Sequence, residues 1–266
     1  MSDDTLVVER PRPAIALLRF NRPAKLNAVD QATFGRLHDT LLELDQDPAL
    51  RVVILTGTGR AFSAGADLDE AHRVAAAGGH SVRDAYRMLH RFQAVTRLVV
   101  EHRAIVIAAV NGIAVGVGAE LALAADLRLG TPQSELMLSE VKRGLFETNG
   151  VMHLLPRIVG HGRAAQWLLT GERVGAPALL ASGFLNELVE PERLMDRSLE
   201  LAATIVGNAP ISVGLVKRLL RRTWEVDLET MMQYEIDGMM ACLASEDLEV
   251  GVNAFVAKRT PEWLGR

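Results

Sequence analysis

The sequence predicts an α/β domain followed by an α-rich tail, and three observations carry that prediction. Short apolar runs such as Val52–Leu55 and AIVIAAV (104–110) have the length and branched content of strands buried on both faces. Segments with helical spacing alternate with them. From about Gly150 onward the pattern is almost wholly helical, and the stretch from Arg193 to the end reads as a separate α-rich part.

Taken in order, Leu6–Val8 and Ile15–Phe20 flank a Pro-rich turn and predict a hairpin, which Asn21-Arg22-Pro23 ends. Asp30 then caps a helix with Phe34, Leu37, Leu41 and Leu44 on one face, stopped by Asp47-Pro48. Val52–Leu55 is a strand, and GTGRAFSAGADL (57–68) follows as a loop. Ser81–His102 is helical, AIVIAAV is the second buried strand, and NGIAVGVGAE (111–120) turns into a helix starting near Val117. AADLRLG (124–130) and ELMLSE (135–140) are short strands; Met231–Leu243 and Leu248–Ala257 are helices of the tail.

Composition bounds the function. A chain of 266 residues with 49% hydrophobic and 23% charged residues can bury a sizeable core. A net charge of -4 offers no electrostatic footprint for nucleic acid. The single cysteine, Cys242, rules out an internal disulfide and a cysteine metal cluster. The acidic start MSDDTLVVER is unlike a signal peptide, and no apolar run is long enough for a membrane span, so a cytoplasmic protein is expected.

Two glycine-containing turns follow buried strands. Both GTGRAF (57–62) and GVGAEL (116–121) begin G-x-G but lack the third glycine of a dinucleotide fingerprint, and no P-loop is present. Ser63 in AFSAG is half a nucleophile elbow, with Ala61 where a glycine is needed and no histidine in a telling context. The reading that joins the turns is an oxyanion hole. A helix starting near Val117 leaves its first N–H free at the positive end of the dipole, and two such donors converging on one oxygen stabilise a developing enolate.

AFSAGADL (61–68) and NGIAVGVGAELALAADLRL (111–129) resemble the paired signatures of the enoyl-CoA hydratase/isomerase, or crotonase, family. The resemblance runs from NRPAKLNA (21–28) through LLTGERVGAPALLASGFLNELV (168–189) to AFVAKRTPEW (254–263). It implies a spiral of β-β-α repeats over residues 1–192, the acyl-CoA-binding catalytic core, and a helical oligomerisation region over 193–266 that builds a homotrimer or a hexamer. It also implies that the N–H groups of Ala66 and Val117 receive the thioester oxygen, that Glu120 and Glu140 are the two catalytic acids, and that Lys25, Ala64, Asp67, Leu68, Phe255 and Lys258 contact coenzyme A. Coenzyme A is part of the substrate, and no metal or further cofactor is implied.

With acids at both positions, the resemblance points to addition of water to a trans-2-enoyl-CoA. On that reading Glu140 is expected to be the principal proton-transfer residue and Glu120 the partner that positions water. An enoyl-CoA isomerase, a carnitinyl-CoA-type dehydratase and a thioester hydrolase are the rivals, with a non-catalytic crotonase-like binding protein from a different class. Three positions depart from the family pattern: Val117 stands for a central glycine, Ser139 for a proline before Glu140, and Phe146-Glu147 lies near a position where the family often carries proline. Glu147 is expected to face solvent or pair with Arg143, the sharper alternative being an acid that contacts an unusual acyl group.

Overall fold

The structure, a computed structural model, describes residues 5–76, 78 and 81–266. The acidic start at residues 1–4 lies outside them. Ten strands form two sheets: β1 (Leu6–Arg12), β2 (Ile15–Phe20), β3 (Val52–Gly57), β4 (Ala61–Ser63), β5 (Ile105–Val110), β6 (Ile113–Val115), β7 (Leu127–Gly130), β8 (Glu135–Met137), β9 (Arg173–Gly175) and β10 (Glu187–Leu188). The helices are α1 (Gln31–Asp45), α2 (Leu68–Ala76), α3 (Val82–Glu101), α4 (Val117–Ala124), α5 (Val151–Val159), α6 (His161–Thr170), α7 (Ala176–Ala181), α8 (Leu194–Val206), α9 (Pro210–Leu220), α10 (Leu228–Leu243) and α11 (Glu246–Val256).

The large sheet runs β1-β2-β3-β5-β7-β10 and the small one β4-β6-β8-β9. Three successive strand pairs, β3-β4, β5-β6 and β7-β8, each give one strand to either sheet before the chain turns into helix. That repetition is the spiral. Within the large sheet β2, β3, β5, β7 and β10 are parallel, and only β1 joins antiparallel, as the hairpin predicts.

Period-two alternation explains the apolar runs. Leu18, Val53, Leu55, Val106 and Ala108 face a core shared with Phe34, Leu37 and Leu41 of α1, Val95 and Val99 of α3, and α4. Their neighbours Leu17, Val52, Ile54, Ile105 and Ile107 face the opposite side, where Leu194 and Ala202 of α8 close a second core. Each buried valine, leucine, isoleucine or phenylalanine among them contributes roughly 1.5–3 kcal/mol by leaving water. Asp30 caps α1 as expected, its Oδ1 accepting from the Thr33 N–H at 2.8 Å. Ser81 caps α3 in the same way.

Three readings of the sequence are corrected. The stretch 57–68 is not all loop, since Ala61–Ser63 is β4; the turn after AIVIAAV contains β6; and the helical region after Gly150 contains β9 and β10. None of these strands exceeds three residues, less than two full alternations, so no periodic signal announces them. Pairing with neighbours far away in sequence makes them. Among the described residues no single helix is long and apolar enough to cross a membrane.

Candidate active site

The small sheet assembles the site. Its β4 turn is braced from below by the 21–28 segment. Asn27 holds a left-handed conformation with φ of 58° and donates from Nδ2 to the carbonyls of Thr58 and Ala61, at 2.9 and 2.7 Å. Ser63 Oγ, wholly buried, donates to the Asn27 carbonyl at 2.8 Å and accepts from the Gly65 N–H at 3.2 Å. The hydroxyl therefore braces the turn, and among the described residues no histidine or acid hydrogen-bonds to Ser63 as a base would.

Beyond Ser63 the chain pairs with Val29 through Ala66. Val29 N–H bonds to the Gly65 carbonyl at 2.8 Å and Asp67 N–H to the Val29 carbonyl at 3.0 Å. In a parallel bridge of this kind the N–H of Ala66 itself points off the other side. There the turn meets the start of α4. Gly65 has φ of +87°, and a Cβ on it would stand 2.6 Å from the Val115 carbonyl oxygen and 3.7 Å from the Val117 nitrogen. Only a glycine allows that approach. Val117 is the first residue of α4, so its N–H has no acceptor inside the helix. The amides of Ala66 and Val117 are thus both free of the ladders that surround them and lie in one neighbourhood.

Glu120 follows one turn later, 2% exposed. Its Oε2 accepts a short hydrogen bond from Asn149 Nδ2, and its Oε1 accepts from the N–H groups of Thr148 and Asn149, both at 3.4 Å. Burial raises its carboxyl above the usual range, and these donors offset part of that shift. Glu140 opens a short 3-10 turn, Glu140–Arg143, after β8. Its Oε1 lies against Gly116, where an ideal Cβ would come within 2.6 Å, and its Oε2 is buried without a hydrogen-bond partner. Gly116, at φ of +49°, serves both the turn and that contact.

A third acid completes the cluster. Glu147 neither faces solvent nor pairs with Arg143: it is 5% exposed, with both carboxyl oxygens unpartnered. Arg143 turns instead to Ser139, donating from Nη1 to Oγ at 2.9 Å. Burial, then the neighbouring carboxyl of Glu140, push Glu147 up to about 9, and Glu120 adds to the shift. The burial of Glu147 escapes a sequence reading because its neighbours Leu145 and Phe146 are exposed, so the segment carries no inward-facing period. Asn149 goes unremarked too, although the turn sequence Thr-Asn-Gly before α5 was its only signal.

The positions expected to contact coenzyme A divide. Leu68 is exposed and Ala64 half-buried. Asp67 is buried: its Oδ2 accepts from Arg22 Nη2 at 2.7 Å and from Lys25 Nζ at 3.3 Å, while its Oδ1 accepts from the Asp69 N–H at the start of α2. Burial works against its charge, but the bonds from Arg22 and Lys25 prevail and hold the carboxyl at about 2. Lys25 also reaches Asp69 at 2.7 Å. Phe255 and Lys258 stand exposed on α11 and just past its end, and no hydrogen bond or ion pair joins either to the 61–68 turn among the described residues.

Comparison with known proteins follows the same path. A model of the enoyl-CoA hydratase/isomerase family matches residues 11–266. The chain belongs to that family. Among curated relatives, a short-chain-enoyl-CoA hydratase of Clostridium acetobutylicum is 33% identical over 250 residues, 93% of either chain. A carnitinyl-CoA dehydratase of Escherichia coli K12 is 37% identical over 258 residues, covering 95% of this chain and 96% of that one. The solved enoyl-CoA hydratase of Bacillus anthracis superposes with a TM-score of 0.92 at 32% identity, covering 98% of this chain and 100% of that one. The family's spiral of strand pairs is the fold described above.

Proposed function

We propose that this family member catalyses the reversible addition of water across the C2=C3 bond of a trans-2-enoyl-CoA. The observation that carries the reading is the convergence of buried Glu120 and half-buried Glu140, whose Oε2 is out of contact with water, on the turn where the amides of Ala66 and Val117 are free. The thioester oxygen accepts from both amides, and each such donor is worth roughly 3–4 kcal/mol as negative charge grows on that oxygen. A water lies between Glu120 and Glu140. Its oxygen bonds to C3, one of its protons passes to Glu140, and C2 receives a proton from the same carboxyl, so both acids end as they began. Asn149 holds Glu120 in place for this. The names of the hydratase relatives support the direction of the reaction.

Dehydration of a 3-hydroxyacyl-CoA is the same path reversed, and the 37% identity to a carnitinyl-CoA dehydratase gives that direction its own support. On this reading Lys25, Ala64, Asp67 and Leu68 line the coenzyme A path, Asp67 acting through its hold on Lys25. Phe255 and Lys258 reach coenzyme A from a neighbouring subunit of a trimer built through the C-terminal helices. The test is a panel of enoyl-CoAs of graded chain length, followed by enoyl absorbance and product mass. Uptake of one water without bond migration is expected. Bond migration without water, or release of free coenzyme A, overturns the reading.

A further inference from the structure

Glu140 Oε2 and both oxygens of Glu147 are buried without an N–H or O–H partner among the described residues. Three unpartnered acceptor atoms in one place are costly, since each buried polar group left unsatisfied loses its full solvation. One arrangement relieves two of them: one carboxyl carries a proton and donates it in a hydrogen bond to its neighbour. Glu140 is half-exposed toward the Gly116 turn while Glu147 is almost wholly buried, so the proton belongs on Glu147.

We infer that Glu147 is a third acid of the site, a neutral carboxyl whose O–H donates to Glu140 and fixes that carboxylate with Oε1 toward the Gly116 turn. It is a positioning residue, acting through Glu140, and the inference rests on the hydratase reading only for its effect on rate. The ionisable groups that act on it are Glu140 from the 3-10 turn and Glu120 from α4, both of the same sign, and its upward shift to about 9 agrees with a neutral form. The nearest cation in sequence, Arg143, is turned to Ser139. Glutamine in its place keeps a neutral donor; alanine does not.

The experiment is infrared difference spectroscopy on the full-length protein with the variants Glu147→Gln, Glu147→Ala and Glu140→Gln, followed by pH–rate profiles on an enoyl-CoA. At neutral pH the wild type is expected to show a protonated-carboxyl band that Glu147→Gln removes and that titrates away near pH 9, the value at which burial holds Glu147. The carboxylate band of Glu140, assigned by its loss in Glu140→Gln, is expected to shift in Glu147→Ala and to shift less in Glu147→Gln. With substrate, Glu147→Ala is expected to lose about 10- to 100-fold in kcat with little change in KM, the effect of one hydrogen bond to a charged group. Glu147→Gln is expected to lose several-fold and to lack the alkaline limb of the wild type. A protonated band unaltered in Glu147→Gln overturns the proposal, as does a Glu140 band indifferent to both substitutions. Because neither band needs turnover, an enzyme inert toward every enoyl-CoA sinks the hydratase reading while the spectra still decide the role of Glu147.

Discussion

Gly65 and Val117 meet where the two signature turns of the chain touch: a Cβ on Gly65 would lie 3.7 Å from the Val117 nitrogen and 2.6 Å from the Val115 carbonyl oxygen. The contact fixes how close the Ala66 and Val117 amides can come. Gly65→Ala introduces both a strained φ of +87° and that clash, a cost of about 1–3 kcal/mol for the backbone alone. The turn must therefore retreat from α4, and kcat/KM is expected to fall about 10²- to 10³-fold, as when one oxyanion donor is lost. Thermal unfolding and steady-state kinetics on the same preparation check it. A variant that unfolds earlier but turns over normally would separate the turn from the chemistry.

Asn149 bears on Glu120 alone. In Asn149→Ala the buried Glu120 loses its Oε2 donor, which is expected to destabilise the fold by about 1.5–3 kcal/mol at neutral pH. The sign with pH follows from the raised carboxyl of Glu120. A group whose folded pKa lies above its unfolded value favours folding most when protonated, and loses that contribution as pH rises through the folded pKa. Removing the donor raises Glu120 further, so the deficit of the variant is expected to grow toward neutral pH and shrink on acidification. Denaturant unfolding at neutral and mildly acidic pH measures this, and an equal deficit at both counts against it.

These two cases show what the sequence makes legible. The capped helix α1 and the strands β3 and β5 announce themselves, because Phe34, Leu37 and Leu41 repeat with the helix and Val52–Leu55 is apolar throughout. The two turns proposed to receive the thioester oxygen follow from glycines placed after those strands. By contrast β4, β6 and β9 are three residues each and owe their existence to partners elsewhere in the chain. Glu147 is misplaced for a related reason. An acid between exposed Phe146 and the Thr-Asn-Gly turn has every local mark of a surface residue, and only the return of that turn onto α4 buries it.

Asp67 gives a stability test at the other end of the pH scale. Its carboxyl, held at about 2 against a usual 3.8, favours folding by up to about 2 kcal/mol while ionised. A depressed folded pKa contributes above the unfolded value and is lost as pH falls through the folded one. The gap between wild type and Asp67→Asn is therefore expected to be full above about pH 4 and to close between 4 and 2, as Arg22 and Lys25 lose their partner in the wild type too. Chemical unfolding across that range reads it directly. Parallel curves for the two proteins would assign the loss to packing instead.

The last prediction concerns α10, whose apolar residues face outward. Leu228, Met232, Ile236, Met239, Met240 and Leu243 are 48–75% exposed in the single chain, and their spacing draws one stripe along the helix. Only Gly238 of α10 is buried, packed toward Leu215 of α9. A soluble monomer rarely leaves so continuous an apolar stripe in water, and a second copy of the chain is the occupant that the proposed trimer supplies. Light scattering at micromolar concentration is expected to give a multiple of the monomer mass, divisible by three. Ile236→Glu sets a charge in the middle of the stripe, where desolvating it costs several kcal/mol, and is expected to shift the population to smaller species. If coenzyme A is also held by Phe255 and Lys258 of a neighbouring subunit, KM for the acyl-CoA rises with dissociation while the Glu120 and Glu140 chemistry, contained in one chain, keeps its pH profile. A monomeric wild type of full activity would leave the stripe without this role.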